Sequence, residues 1–186
     1  MTAAVRTAAR PPGRPAHAIH HLEDVMGTIV TIDVYTAAEV TPPELGVLRG
    51  QLSQARAVLH RADEVFSTWR PHSPVSRLRR GEISLAQAPP EVAEVLDRCT
   101  AARELSGGWF DPWAMPGGFD PTGYVKGWAA QNALAAFSAG TVCGALVNAA
   151  GDIASSGGLG HRQPFRIGIA DPAAPRRLAE IVELTG

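Results

Sequence analysis

Apolar and polar positions alternate along "VMGTIVTIDVY" (25–35), with Val30, Ile32 and Val34 on one face and Thr31 and Asp33 on the other. That period of two predicts a half-buried strand. Between Pro43 and Phe66 the period changes: Leu45, Leu48, Leu52, Ala55, Leu59, Ala62 and Val65 recur at three- and four-residue steps, which predicts an amphipathic helix. "PPEVAEVLDRCTAARELSGG" (89–108) predicts a second helix. Its prolines suit a first turn, Val92, Val95, Leu96, Cys99, Ala102 and Leu105 form one stripe, and glycines close it. "FDPWAMPGG" (110–118) reads as a loop, and a third helix starts near Thr122 and ends before Gly140. "ALVNAA" (145–150), "FRIGIA" (165–170) and "LAEIVEL" (178–184) read as strands between Gly- and Pro-containing turns. Helices and strands interleave without a regular βαβ repeat, so the expected fold class is α+β, a layered antiparallel or mixed sheet with packed helices.

Composition narrows the picture. The 186 residues suit one domain, and 45% hydrophobic content is enough for a core. Residues 1–22, with prolines and arginines but no apolar run, read as a flexible N-terminal arm; residues 23–186 read as the folded domain. Seventeen basic against eighteen acidic side chains, with no basic run beyond "RLRR" (77–80), leave no electrostatic footprint for nucleic acid. No stretch reaches membrane-spanning length and the N-terminus has no signal-type apolar segment, so no membrane insertion and a cytoplasmic location are expected. Cys99 and Cys143 stand far apart with no metal-ligand pattern and read as buried or inert thiols. The expected partner is a small ligand.

Lys126 is the single lysine among seventeen basic residues. In a chain that otherwise uses arginine, a compact and flexible ammonium points to a narrow anionic site. It follows "FDPTGYV" at the start of the third helix, where free N–H groups favour anions and Gly123 and Gly127 let a backbone approach. The pattern matches neither GxxxxGK[ST] nor GxGxxG. Asp111 and Asp120, each in a Phe-Asp-Pro triplet, read singly as turn formers and together as part of a polyphosphate site. Trp69 reads equally as a core aromatic or a platform for a planar ring. Ser76 is a candidate cap, Arg77, Arg79 and Arg80 a solvated face, and "NAAGD" (148–152) a tight turn, slightly ahead of a ligand-facing backbone. No histidine forms a motif with a Ser or Cys nucleophile.

Taken in order, "MGT" (26–28), "FSTWRPHSPVSRL" (66–78), "SGGWFDP" (106–112), "FDPTGYVKGW" (119–128), "NAAGD" (148–152) and "FRIGIADP" (165–172) resemble the ApbE family, the FAD:protein FMN transferases. The resemblance implies an ApbE-like fold and an enzyme that moves FMN from FAD to a Thr or Ser hydroxyl of an acceptor flavoprotein, with magnesium, releasing AMP. It implies FAD contacts at Met26, Trp69, Trp109, Phe110, Asp111, Asp120 and Lys126, and a magnesium contact through the backbone carbonyl of Gly123. The catalytic base stays open, with Asp120 and Asp152 as candidates.

The chain departs from the family pattern in four places. Trp69 stands where the family usually has tyrosine, and "NAAGD" has an alanine where glycine is usual. "FDPWAMPGG" lacks the usual Thr-Val-Gly-Pro continuation, and "RRLAEIVELTG" (176–186) supplies none of the later Thr-Ser-Gly turn, Asp and Thr that complete the family's magnesium site. The domain is therefore expected to be C-terminally incomplete. The alternatives are a non-catalytic FAD-binding or sequestering protein derived from the family, or an inactive fragment.

Overall fold

The computed structural model describes residues 16–138, 140–160 and 163–184; the part of the predicted arm over residues 1–15 lies outside them. A four-stranded antiparallel sheet runs in the order β1 (Ala16–Val25), β2 (Thr28–Thr36), β3 (Val142–Ala149), β4 (Asp152–Gly157). Against one face pack α1 (Pro42–Phe66) and α4 (Thr122–Leu134), with α2 (Pro74–Arg79) and α3 (Pro90–Leu105) flanking them. A separate antiparallel hairpin, β5 (Phe165–Asp171) and β6 (Ala174–Leu184), completes the described chain. The class is α+β, as expected, and every strand pair is antiparallel.

Alternation on β2 sets the core. Val30, Ile32 and Val34 are fully buried and stand opposite Ala149, Val147 and Ala145 of β3. The two alanines let a helix come close, and α4 meets them with its own small residues Ala129, Ala130 and Ala133, all fully buried. Close approach of small side chains keeps packing dense without bulky interdigitation. From α1, the predicted stripe supplies Leu48, Ala55, Leu59, Ala62 and Val65 to the same core. Helix α3 buries Val92, Val95 and Cys99, but Leu105 at the end of its predicted stripe is 92% exposed. It lies in the last turn, where the chain leaves the layer. Burial pushes the Cys99 thiol up to about 11 and raises that of Cys143, which keeps both protonated and unreactive near neutral pH.

Two expectations change. The stretch 25–35 is not one strand: Met26 and Gly27 form a two-residue turn between the paired Val25 and Thr28. Residues 16–22, read as part of a flexible arm, belong to β1. Their order has a physical cause in Glu23, which is only 7% exposed. Its carboxylate accepts from the Arg56 guanidinium, with His60 Nε2 at 2.8 Å and His21 Nε2 at 2.6 Å. Arg56 and His60 come from α1, so the cluster ties β1 to that helix. The Arg56 hydrogen bond does most to hold the Glu23 carboxyl down at about 2, against desolvation.

Candidate functional site

Both hairpins of the sheet turn at the same end, because Val30 near the start of β2 pairs with Ala149 at the end of β3. Each turn puts a non-glycine residue in the left-handed region: Met26 at φ 55° before Gly27 at 69°, and Ala150 at φ 55° before Gly151 at 100°. Two-residue turns with positive φ at both positions match the twist of a hairpin but favour Asn or Gly first. A bulky Met26 there is strained and is held by its surroundings. "NAAGD" is accordingly the tight turn expected, with the Asn148 side-chain oxygen accepting from Gly151 N–H at 2.8 Å.

These turns form one wall of a cleft of about 460 Å³. The end of α1 and its following loop supply Asp63, Phe66, Ser67, Thr68 and Trp69, and the first turns of α4 supply Thr122, Gly123 and Lys126. The loop is braced from behind, since the Ser67 carbonyl accepts from the Ser73 hydroxyl at 2.5 Å and the Ser76 hydroxyl at 3.1 Å. Ser73, not Ser76, caps α2. Trp69 is 92% exposed, so its ring is no core aromatic; it stands at the cleft rim with its face available.

The first turns of α4 bring a helix-start N–H and the Lys126 ammonium to the cleft. Asp120 accepts from the Thr122 N–H at 3.1 Å and hydroxyl at 2.7 Å, and the Pro121 carbonyl takes the Tyr124 and Val125 amides. Among the described residues nothing accepts from the Gly123 amide. A free N–H at a helix start beside an ammonium is a site for an anion. Lys126 Nζ lies 3.5 Å from Asp152 Oδ2, and the lysine side chain keeps 34% of its surface exposed. It therefore has one loose partner and room for another.

Met26, Trp69, Gly123 and Lys126 thus come together around the cleft. Asp120, Trp109, Phe110 and Asp111 stand outside its lining. Asp120 underlies α4 and faces Arg79 at 3.3 Å. Arg79, read from sequence as part of a solvated face, is largely buried and also donates to the Pro116 and Gly117 carbonyls, fastening the loop ahead of α4. Asp111 accepts from Trp113 N–H at 2.9 Å and pairs with Arg103 at 3.1 Å. The Trp113 amide first, and Arg103 after it, hold its carboxyl below the usual range. Phe110 packs against Tyr124 at 6.4 Å between centroids and backs Gly123, where an added Cβ would come within 3.3 Å of its ring. Trp109 is 96% exposed.

Sequence reasoning missed Thr28, Asp63, Ser67, Thr68 and Ala150 as lining residues. The signal for Asp63 was its place one turn before the Ser-Thr-Trp loop on an otherwise apolar stripe; the others became lining residues only when the turns met.

The residues present suit a planar ring with an attached phosphate: an exposed indole face, a volume in the range of ligand clefts, a free amide and a half-exposed ammonium. They do not suit magnesium. Among the described residues, no group of three or more His, Cys, Asp or Glu side chains is arranged to hold a metal ion. Asp63 is engaged by Arg70 and Asp152 by Lys126, while the Gly123 carbonyl sits in a helical first turn. Near-octahedral oxygen coordination cannot be built from that set. Among the described residues, no helix is long and apolar enough to cross a membrane.

Comparison with known proteins places this geometry in context. The sequence pattern of the ApbE family matches residues 26–118 and 114–186. The fold is similar to the flavin transferase ApbE of Vibrio cholerae (TM-score 0.72, 16% identity, covering 91% of this chain and 69% of that one). It is also similar to the apo flavinyl transferase ApbE of Pseudomonas stutzeri (TM-score 0.67, 20% identity, 92% and 66%) and to the ApbE protein of Thermotoga maritima (TM-score 0.69, 17% identity, 90% and 67%). The chain spans about two thirds of the length of these structures. No curated protein matches its sequence.

Proposed function

The chain belongs to the ApbE family, and from that membership and the cleft at the two turns we propose that it binds FAD and transfers FMN to a Thr or Ser hydroxyl of an acceptor flavoprotein, releasing AMP. The observation that carries the reading is the meeting of the free Gly123 amide and the Lys126 ammonium beside the exposed Trp69 ring. When bound, FAD supplies a pyrophosphate whose cleavage leaves AMP. Lys126 and the Gly123 amide hold anionic oxygens there, and charge stabilisation of this kind is most of what such a substitution asks of a protein. Trp69 and Met26 hold the ring system. In this reading Asp111 and Asp120 act by fixing the loop and the helix start, and Phe110 supports Gly123 from behind.

A specific observation also favours a second reading, FAD binding without transfer: the described residues do not form a magnesium set. One titration separates the two. FAD is added to the 186-residue chain and followed by flavin fluorescence with and without magnesium, and AMP release is then measured after adding a flavin-free acceptor domain. Binding with acceptor-dependent AMP release is expected; binding without it supports the second reading, and no binding overturns both.

A further inference from the structure

A second cleft of about 390 Å³ lies on the other side of α4, between that helix, α3 and the start of β4. Gly123 lines both clefts. Asp152 lines the second, and its carboxylate lies 3.5 Å from Lys126, which lines the first. The two clefts are therefore joined at one glycine and one ion pair.

The second cleft is chemically unlike the first. Its arginine, Arg98, is paired with Glu94 at 3.2 Å, and Glu94 also accepts from the Trp128 indole at 3.2 Å. Gln131 and Asn132 are among its lining residues, and neither side chain has a hydrogen bond from the described residues. A primary amide offers both donor and acceptor, the complement of a polypeptide backbone. Gly127 presents no side chain on this wall, and even an added Cβ would stay 3.9 Å from Asp152 Cβ. Main chain can approach there.

We propose that this cleft receives the hydroxyl-bearing polypeptide segment of the acceptor, and that Asp152 accepts the hydroxyl proton. The proposal rests on the FMN-transfer reading above. In-line displacement needs nucleophile and leaving group on opposite sides of phosphorus. In this proposal the flavin and its phosphates take the first cleft, and a hydroxyl in the second meets the phosphorus where the two clefts share Gly123. The hydroxyl oxygen bonds to the phosphorus of the FMN half, the bridging P–O bond breaks, and AMP leaves with that electron pair. The proton passes to the Asp152 carboxylate.

The test uses the full chain and a flavin-free acceptor domain with one target threonine. Three quantities are measured: FAD affinity by fluorescence, flavin attached to the acceptor, and cross-linking to it from a photoreactive amino acid replacing Gln131. Asn132→Trp, on the exposed side of α4, is expected to lower transfer about tenfold or more by filling the cleft, with FAD affinity within about twofold of the parent. Asp152→Asn is expected to lower kcat for transfer about a hundredfold or more with KM for the acceptor little changed, a split that a purely structural role would not produce. Failure of the parent to bind FAD sinks the FMN-transfer reading, and this proposal with it. FAD binding and transfer that Asn132→Trp leaves untouched overturn this proposal alone. So does FAD binding with neither transfer nor a cross-link from position 131.

Discussion

The four-stranded sheet and the β5–β6 hairpin are made from similar alternating strands, yet they end in different environments. In the sheet, Val30, Ile32 and Val34 disappear beneath α1 and α4. In the hairpin, Ile169, Leu178, Ile181 and Val182 stay exposed. The hairpin is held through Phe165, buried against Tyr35 at 5.5 Å. A two-stranded hairpin is at best marginally stable without a packed face. Strand patterning therefore sets which residues share a face, and a partner layer sets whether that face adds stability. Everything assigned to the two clefts lies in the packed region.

The contrast is tested most severely by truncating the buried face. Ile32→Ala is expected to cost ~2–5 kcal/mol, read from a urea or thermal transition; a loss below about 1 kcal/mol would mean that the sheet is no better packed than the hairpin. Next comes the site that the packed region carries. Lys126→Ala is expected to weaken FAD binding about tenfold to a hundredfold, equivalent to ~1.5–3 kcal/mol for a charge-assisted contact, with an unchanged melting curve. Equal affinity in variant and parent would remove Lys126 from the site.

Acid sharpens the comparison further. The folded-state carboxyl of Glu23 sits at about 2, below its ordinary 4.5. Its contribution is fully present above the ordinary value and is lost as the pH falls from there through about 2. Because Arg56 and His60 are half-exposed, solvent screening reduces this contribution to about 1–2 kcal/mol. Glu23→Gln should flatten that part of the stability profile, and a variant that keeps the parent's acid slope would remove Glu23 as its source. The smallest effect is expected for Ile181→Ser, within about 0.5 kcal/mol of the parent; a larger loss would show that this face is covered in solution.

Much of the fold was legible because burial follows periodicity. The α1 stripe and the β2 alternation emerged at their predicted places, since each side chain's face is decided by its own neighbours in sequence. The "MGT" turn was not, because Met is an improbable residue for φ 55° and nothing local announces it. Strand β1 was hidden for a related reason. Its "AIHHLED" sets Glu23 toward α1 with His21 beside it, and the partners that make an inward carboxylate tolerable, Arg56 foremost, lie more than thirty residues further along the chain. Strand β4, "DIASSG", is too polar and small to announce itself. At the site, Lys126 stood out as the single lysine, and Trp69 proved to be a rim residue, not a core one.

The sequence by itself determined the helix and strand periods and the membership of the ApbE family, because these depend on residue types at fixed short spacings. Tertiary structure alone decided that Met26 and Ala150 turn side by side, that Asp111 and Asp120 serve the loop, and that Lys126 and Asp152 join two clefts. Those outcomes rest on antiparallel register and helix packing, which bring together groups whose separation along the chain carries no local signal.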